Sequence, residues 1–278
     1  GGLFPLTSNL YNLILKAPSD KVKKSPFAII SMNISLYRFD IQTRSSWEKI
    51  GMVMVYSCLS DIFSGEFLMA KTKISRSEEP IRLFDSDFLE FFTHISPIAV
   101  LVIWLPVIGF FVYRSLVIED QPILFLPLGL LAGLFLWTIA EYILHRFLFH
   151  FPAKNPWQER LSFLFHGIHH EQPKVKSRLV MPPAVSIPLA LIFYGLFYLV
   201  LGLILRIPDW ISPIFAGFIL GYVLYDMTHY ATHHTPMRKG YFRMVRQQHM
   251  HHHFKTPNQR FGVTSPLWDY VFGTMPSD

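Results

Sequence analysis

Apolar and polar residues in this chain segregate into long blocks instead of alternating. Four blocks, 98–113, 123–140, 184–205 and 210–225, contain no Asp, Glu, Lys, Arg or His. Each is 16 to 22 residues long, close to the ~20 that a helix needs to cross a bilayer. The blocks come in pairs, joined by short connections at 115–122 and 206–209. The pattern predicts an all-α integral membrane protein with four transmembrane helices in two hairpins, at about 95–113, 122–144, 184–206 and 210–228. Two hairpins return the polar segments 145–183 and 226–278 to one side, where they would form a helical cap. Ahead of the first span, apolar residues at 81, 83, 84, 88, 89, 91 and 92 approximate a helical stripe and predict a helix lying on the membrane surface.

Composition sharpens this picture. Half the residues are hydrophobic (51%), and they are massed in the four blocks. The formal charge of +6 could suggest nucleic acid, but the cations are not spread as a binding face. From residue 69 onward, Lys and Arg concentrate before Pro97, from Arg146 to Arg178 and from Arg238 to Arg260. Only Arg114 and Arg206 lie in the opposite connections. This asymmetry places the cap on the cytoplasmic side, at the endoplasmic reticulum of a eukaryote or the inner membrane of a bacterium, and excludes a nucleic-acid partner. Cys58 is the single cysteine, so an internal disulfide and a Cys-ligated zinc or iron–sulfur site are excluded.

Residues 1–68 have neither a signal-peptide layout nor a convincing span. Met69 reads as a start, leaving 1–68 as an extension that is poorly packed or non-native, or a cytoplasmic extension with a short amphipathic piece near 52–67. The functional domain is expected at 69–278.

Twelve of the thirteen histidines fall in two patches, each directly after an apolar block. They read as His145 and His150 (H-x4-H), His166, His169 and His170 (H-x2-H-H), His229 and His233 (H-x3-H), and His249, His252 and His253 (H-x2-H-H). Residues three and four apart share a helix face, so H-x3-H and H-x2-H-H each aim ligands at one point. A five-residue gap rotates two rings about 140° apart on an ideal helix, so the helix is expected to end or bend near Phe149 and Pro152. Ten imidazoles exceed the four to six ligands of one ion, and two divalent ions with about five nitrogens each would use them all. His94, His234 and His251 break the spacing and are expected to ligate nothing. Asp226, three before His229, and Glu141, four before His145, are expected to orient the rings by accepting their other N–H, with Glu171 and Asp269 as weaker candidates.

These groups on a four-span protein resemble the fatty acid hydroxylase superfamily, which also holds sterol desaturases and carotenoid hydroxylases. The stretches Arg178-Leu-Val-Met-Pro-Pro183 and Phe261-Gly-Val-Thr-Ser-Pro-Leu-Trp-Asp-Tyr-Val-Phe-Gly-Thr274 are similar to the fatty acid 2-hydroxylase branch. The resemblance covers about residues 85–275 and implies that the ten histidines bind a dimetal centre. It implies O2-dependent hydroxylation at C2 of a long acyl chain, free or within a ceramide-type sphingolipid. Such chemistry calls for a redox metal, which makes iron the expected ion; zinc has no redox role, though the same ligands would bind it.

Many members of that branch carry an N-terminal haem domain with a His-Pro-Gly-Gly motif, and no such motif occurs here. A separate electron-transfer protein, cytochrome b5-like or ferredoxin-like, is the expected donor. The acyl substrate would enter from the membrane lipid, with Lys174, Lys176 and Arg178 either clamping its head group or anchoring the third span. Aromatics of the cap such as Trp157, Phe165 and Trp268 would pack it or line an entrance. Gly262 and Gly273 would serve turns, and Thr264 and Ser265 would cap a last short helix. The rival readings are a sterol or carotenoid oxidase or desaturase with the same ligands and a metal transporter or metal-storage protein; the four blocks offer a transporter no ionisable path.

Overall fold

The computed structural model describes residues 77–276. The expectations for 1–68, for the segment 52–67 and for Met69 lie outside the described residues.

The described residues form helices and connections, with no strand among them. The first helix, α1 (Asp87–Phe91), starts at Ser86, whose side chain accepts from the Leu89 N–H. It is shorter than the periodicity predicts. The Glu90 carboxylate takes the Leu83 and Phe84 N–H groups, and 81–84 stay outside the helix.

Helix α2 (Pro97–Tyr113) continues into a π-helical turn, Arg114–Ile118. Helix α3 (Phe125–Ile143) ends in another, Leu144–Phe149. Short cap helices α4 (Pro156–Ser162) and α5 (Ile168–Glu171) flank the π turn Phe163–Gly167. Helix α6 (Pro183–Phe197) runs on as the wide turn Tyr198–Ile204. The long α7 (Ile211–His234), the cap helix α8 (Gly240–Phe254) and the short α9 (Leu267–Val271) complete the chain. Four stretches are long and apolar enough to cross a membrane: Pro97–Ile118, Phe125–Phe149, Lys176–Ile204 and Pro208–His234. They match the four blocks and extend them, most of all where α3 and α7 carry their histidines out of the apolar layer.

Most of α7 is buried, whereas outward residues of the other three spans, such as Ile98, Leu131 and Leu191, are exposed. In lipid such exposure carries no hydrophobic penalty, so helix association depends on close packing instead. Helices α3 and α7 achieve it through glycines spaced four apart, Gly129 and Gly133 on α3 facing Gly217 and Gly221 on α7. A Cβ on Gly133 would strike the Ile214 and Phe218 backbone, and one on Gly217 would strike the Leu130 backbone. This G-x3-G signal is present in the sequence, and the hydrophobic pattern alone passes over it. Around the contact, Trp137 and Trp104 meet the Tyr222 ring edge-on at 5.5 and 5.4 Å.

At the end away from the cap the two hairpin connections are tied together. Glu119 pairs with Arg114 at 2.9 Å and accepts from the Ser212 hydroxyl at 2.8 Å. At the other end the cap is fastened to α3 by the Trp268 indole N–H on the Thr138 hydroxyl (2.9 Å) and by the Tyr142–Thr274 hydroxyl pair (3.0 Å).

The α3–α7 contact generates a prediction. Gly217→Val forces two backbones apart and should cost about 1–3 kcal/mol or more of stability. Gly109→Ala, where nothing lies within 4 Å of the added methyl, should be neutral. Thermal unfolding of the two variants in detergent checks this.

Candidate metal centre

The ten histidines predicted as ligands converge in two groups of five. His145, His150, His166, His170 and His252 form one; His169, His229, His233, His249 and His253 form the other. Within each group one nitrogen per ring lies within 4.8 Å of all the others. His94, His234 and His251 belong to neither group. His94 contacts Glu90 and Ser177, and His234 packs on the Tyr230 ring.

The local helix geometry explains which ring goes where. Pairs four apart stay together: His166 with His170, His229 with His233, and His249 with His253. The remaining member of each H-x2-H-H, His169 or His252, points to the other group. This corrects the expectation that each H-x2-H-H aims at one point. Positions three and four residues on differ by about 100° around a helix, so α5 and α8 each straddle the two groups. The H-x4-H pair is brought into register by the π turn Leu144–Phe149, whose closing bond runs from the His150 N–H to the His145 carbonyl at 3.1 Å. The helix does end there, as expected. Its widened last turn is what turns both rings to one side.

The Nε2 atoms crowd at distances that discriminate between explanations. His145–His166 and His150–His252 are 3.0 and 3.1 Å apart in the first group. In the second, a chain runs His229–His169–His253–His249–His233 with steps of 2.9, 2.9, 3.1 and 2.8 Å. A ring nitrogen carries either one proton or one lone pair. Five of them in a row cannot make four hydrogen bonds, whereas five lone pairs can converge on one cation. Two nitrogens at ~2.1 Å from an ion stand about 3.0 Å apart at a right angle and about 3.4 Å apart at a tetrahedral one. The observed spacings therefore fit shells more crowded than tetrahedral. The His170 Nε2 is buried beside four other imidazoles and has no hydrogen-bond partner, an arrangement that a bound ion would satisfy. The donor set thus fits metal ions.

Burial also keeps the rings in the state that a metal requires. It pushes His150 down to about 3, assisted by the neighbouring His252, and pushes His252 itself down to about 4. His166, His169, His170, His249 and His253 are held well below the usual imidazole range by burial first and by their neighbours second. Neutral imidazole is the ligating form.

Three of the ten rings are oriented by backbone carbonyls. His145 Nδ1 donates to the Phe261 carbonyl at 2.5 Å, His252 Nδ1 to the Gln259 carbonyl at 2.7 Å, and the His229 ring to the Leu179 carbonyl. The expected carboxylates act one step further back. Glu141 accepts from the Val263 and Thr264 N–H groups at 2.6 and 2.7 Å and from the Thr264 hydroxyl. Asp269 takes the two preceding N–H groups, Phe261 and Gly262, at 2.8 Å each. Asp226 accepts from the Met181 N–H and from Tyr222, two residues beyond the carbonyl that holds His229. These three residues hold the segments whose carbonyls hold the rings, which replaces the direct orienting role expected of Glu141 and Asp226. Thr264 therefore binds Glu141 instead of capping a helix; α9 starts from Pro266 without a side-chain cap, and the Ser265 hydroxyl accepts from the Leu267 N–H at 3.2 Å. Gly273 serves its turn at φ +67°.

Beside the centre lies an apolar cavity of about 290 Å³, reached by His166, His169 and His229 and walled by Phe92, Phe149 and Phe165 among others. Arg178 lines it, while Lys174 and Lys176 are exposed and do not. The buried Arg178 side chain pairs with Glu90 through Nη2 at 2.5 Å. Burial works against the Glu90 charge, but the Leu83 and Phe84 N–H groups, His94 and Arg178 together hold its carboxyl below the usual range.

Fold and site together define an integral membrane protein of four spans whose capped end carries two five-histidine clusters compatible with metal-dependent oxygenation. Comparison with known proteins narrows this. The fatty acid hydroxylase family model matches residues 130–274. A dihydroceramide fatty acyl 2-hydroxylase of Arabidopsis thaliana is 39% identical over 73% of this chain and 83% of its own length. The fatty acid 2-hydroxylase of Mus musculus is 40% identical over 70% of this chain and 57% of its own length. A solved structure of full-length scs7p, with only its hydroxylase domain visible, aligns with a TM-score of 0.62 at 36% identity, covering 72% of this chain and 76% of that one. The chain belongs to the fatty acid hydroxylase family.

The depressed imidazole values fix a pH dependence. The unfolded chain takes up protons near pH 6.5, whereas folded His150 and His252 resist them down to about 3 and 4. The metal-free protein should therefore keep full stability above about pH 6.5 and lose it progressively as the pH falls from there toward about 3. Its melting temperature measured across that range in detergent checks the sign.

Proposed function

We propose that this chain is an O2-dependent dimetal hydroxylase acting at C2 of long-chain fatty acyl groups, free or amide-linked. The observation that carries the reading is the junction of the two five-histidine groups with an apolar cavity. An acyl chain is the substrate class that such a cavity accepts at the edge of a bilayer. Names of the relatives support the same reaction.

Each group would hold one ion, with His145, His150, His166, His170 and His252 on one and His169, His229, His233, His249 and His253 on the other. Iron is the proposed metal, because a redox-active ion supplies the activation of O2 that attack on an unactivated carbon demands. In the balanced reaction one oxygen atom of O2 enters the C2–H bond and the other leaves as water. Two electrons come from a separate donor, a cytochrome b5-like or ferredoxin-like protein, and the two protons come from solvent. The apolar cavity wall excludes water and lays the chain alongside the histidines. The carbonyls of Leu179, Gln259 and Phe261 keep His229, His252 and His145 in one tautomer and one orientation. The proposed topology puts the cap on the cytoplasmic face, at the endoplasmic reticulum of a eukaryote or the inner membrane of a bacterium.

Expression in cells lacking 2-hydroxy lipids, followed by acyl-chain profiling and metal analysis, tests the proposal. C2-hydroxylated acyl chains should appear with the wild type, and their absence from metal-loaded, membrane-inserted protein overturns the reading. His233→Ala and His252→Ala, one from each group, should each reduce product by ~100-fold or more while the protein stays in the membrane fraction.

A further inference from the structure

Helix α9 belongs to the cap by sequence, yet it lies against the part of α3 that crosses the apolar layer. The Trp268 ring packs on Phe135 with centroids 5.8 Å apart, its indole N–H donates to the Thr138 hydroxyl at 2.9 Å, and Phe272 stacks on Tyr142 at 5.2 Å. Phe135 and Thr138 fall within the charge-free run 123–140 of α3. At 1.5 Å per residue they lie about 8 and about 3 Å inside the end of that run. A helix held at that depth stands beside acyl chains, below the headgroups. The surface of α9 suits the position. Leu267, Tyr270, Val271 and, one residue past the helix, Phe272 are 45–66% exposed. Asp269 is the one charged residue between Phe261 and Met275, and it is wholly buried. The outer face of α9 continues the exposed side of α3 at Leu131 and Phe135. In water such an apolar patch is costly, whereas an acyl layer imposes no hydrophobic penalty on it. Trp and Tyr, found here at 268 and 270, favour the boundary between acyl chains and headgroups. A water-soluble partner cannot reach this level, so the position selects lipid.

The same helix holds the segment that aims two of the rings. Asp269 takes the Phe261 and Gly262 N–H groups, and the Thr274 carbonyl, just past the helix, takes the Arg260 N–H at 3.1 Å. From this segment the Gln259 and Phe261 carbonyls hold His252 and His145. We propose that α9 is immersed in the acyl layer of the leaflet on the cap side, and that phospholipid packed against Leu267, Tyr270, Val271 and Phe272 steadies the segment that positions His145 and His252. The bilayer is then a partner of the first histidine group, and α9 is the positioning element through which it acts.

Spin labels on single cysteines, introduced into a Cys58→Ser background of the full chain in phosphatidylcholine nanodiscs, test the immersion. A label on Val271→Cys should behave like one on Leu131→Cys, relaxed by O2 and protected from a water-soluble nickel chelate. A label on Lys255→Cys, exposed on the cap, should show the reverse. A Val271→Cys label that behaves like the Lys255→Cys label overturns the proposal. So does one shielded from both reagents, which would place a second copy or another protein on this face. Equilibrium Zn2+ binding by the metal-stripped full chain in the same nanodiscs reads the coupling. Val271→Asp puts a charge into the leaflet without touching a histidine and should weaken one of the two binding steps about tenfold or more, while Val271→Leu should match wild type. Unchanged binding by Val271→Asp, or an equal loss in Val271→Leu, overturns the coupling. A wild type that binds no metal overturns the metal-centre reading and leaves the immersion to be decided by the spin labels.

Discussion

A buried carboxylate that accepts consecutive backbone N–H groups is the interaction on which the rest of this structure depends. Glu141 and Asp269 between them take four in succession, from Phe261 to Thr264, and the Phe261 carbonyl of that segment turns to His145, with the Gln259 carbonyl just ahead of it turning to His252. Asp226 accepts a single backbone N–H, that of Met181, two residues beyond the Leu179 carbonyl that holds His229. A peptide unit has a donor on one side and an acceptor on the other, so fixing its N–H fixes where its C=O points. The protein uses this to aim histidines with main chain instead of side chains. An imidazole hydrogen-bonded to a neutral carbonyl stays a neutral ligand, and the negative charges remain a few ångströms away, where they would offset the charge of the two proposed cations.

The carboxylates also join the two solvents of the fold. Glu141 and Asp226 stand where α3 and α7 leave the apolar layer, and each grips a loop of the cap. The close glycine packing of α3 on α7 sets the separation of those two helices. Since α3 supplies His145 and His150 and α7 supplies His229 and His233, that separation also sets the spacing of the two histidine groups. Packing deep in the membrane and geometry at its surface are consequently one constraint.

Much of this was legible in the sequence, and what was hidden has identifiable causes. The four spans announce themselves because lipid tolerates apolar runs free of charge. The ten ligands are readable because imidazoles at intervals of three and four have few other uses at such density. Their division between two ions was not readable, since H-x2-H-H looks like one site until the curvature of the helix between two targets is known. The π turn after Ile143 resolves a spacing that an ideal helix forbids. Glu141 and Asp226 stood out as acids at span ends, but their partners are main-chain groups, which carry no identity in a sequence. Glu90 had a usable clue in its four-residue spacing from His94. Its pairing with Arg178, 88 residues away, had none.

The division of ligands has a consequence for how the protein is made. The first histidine patch gives four rings to one group and sends His169 to the other; the second gives four and sends His252 back. A ribosome that has finished the first hairpin and the segment after it has produced four rings of the first group and cannot supply the fifth until residue 252 emerges, after the second hairpin. Each group draws on both patches, the first completed by His252 and the second by His253, so full occupancy of either would need both patches in place. A protein in which either patch is missing or misplaced would leave both groups short of rings.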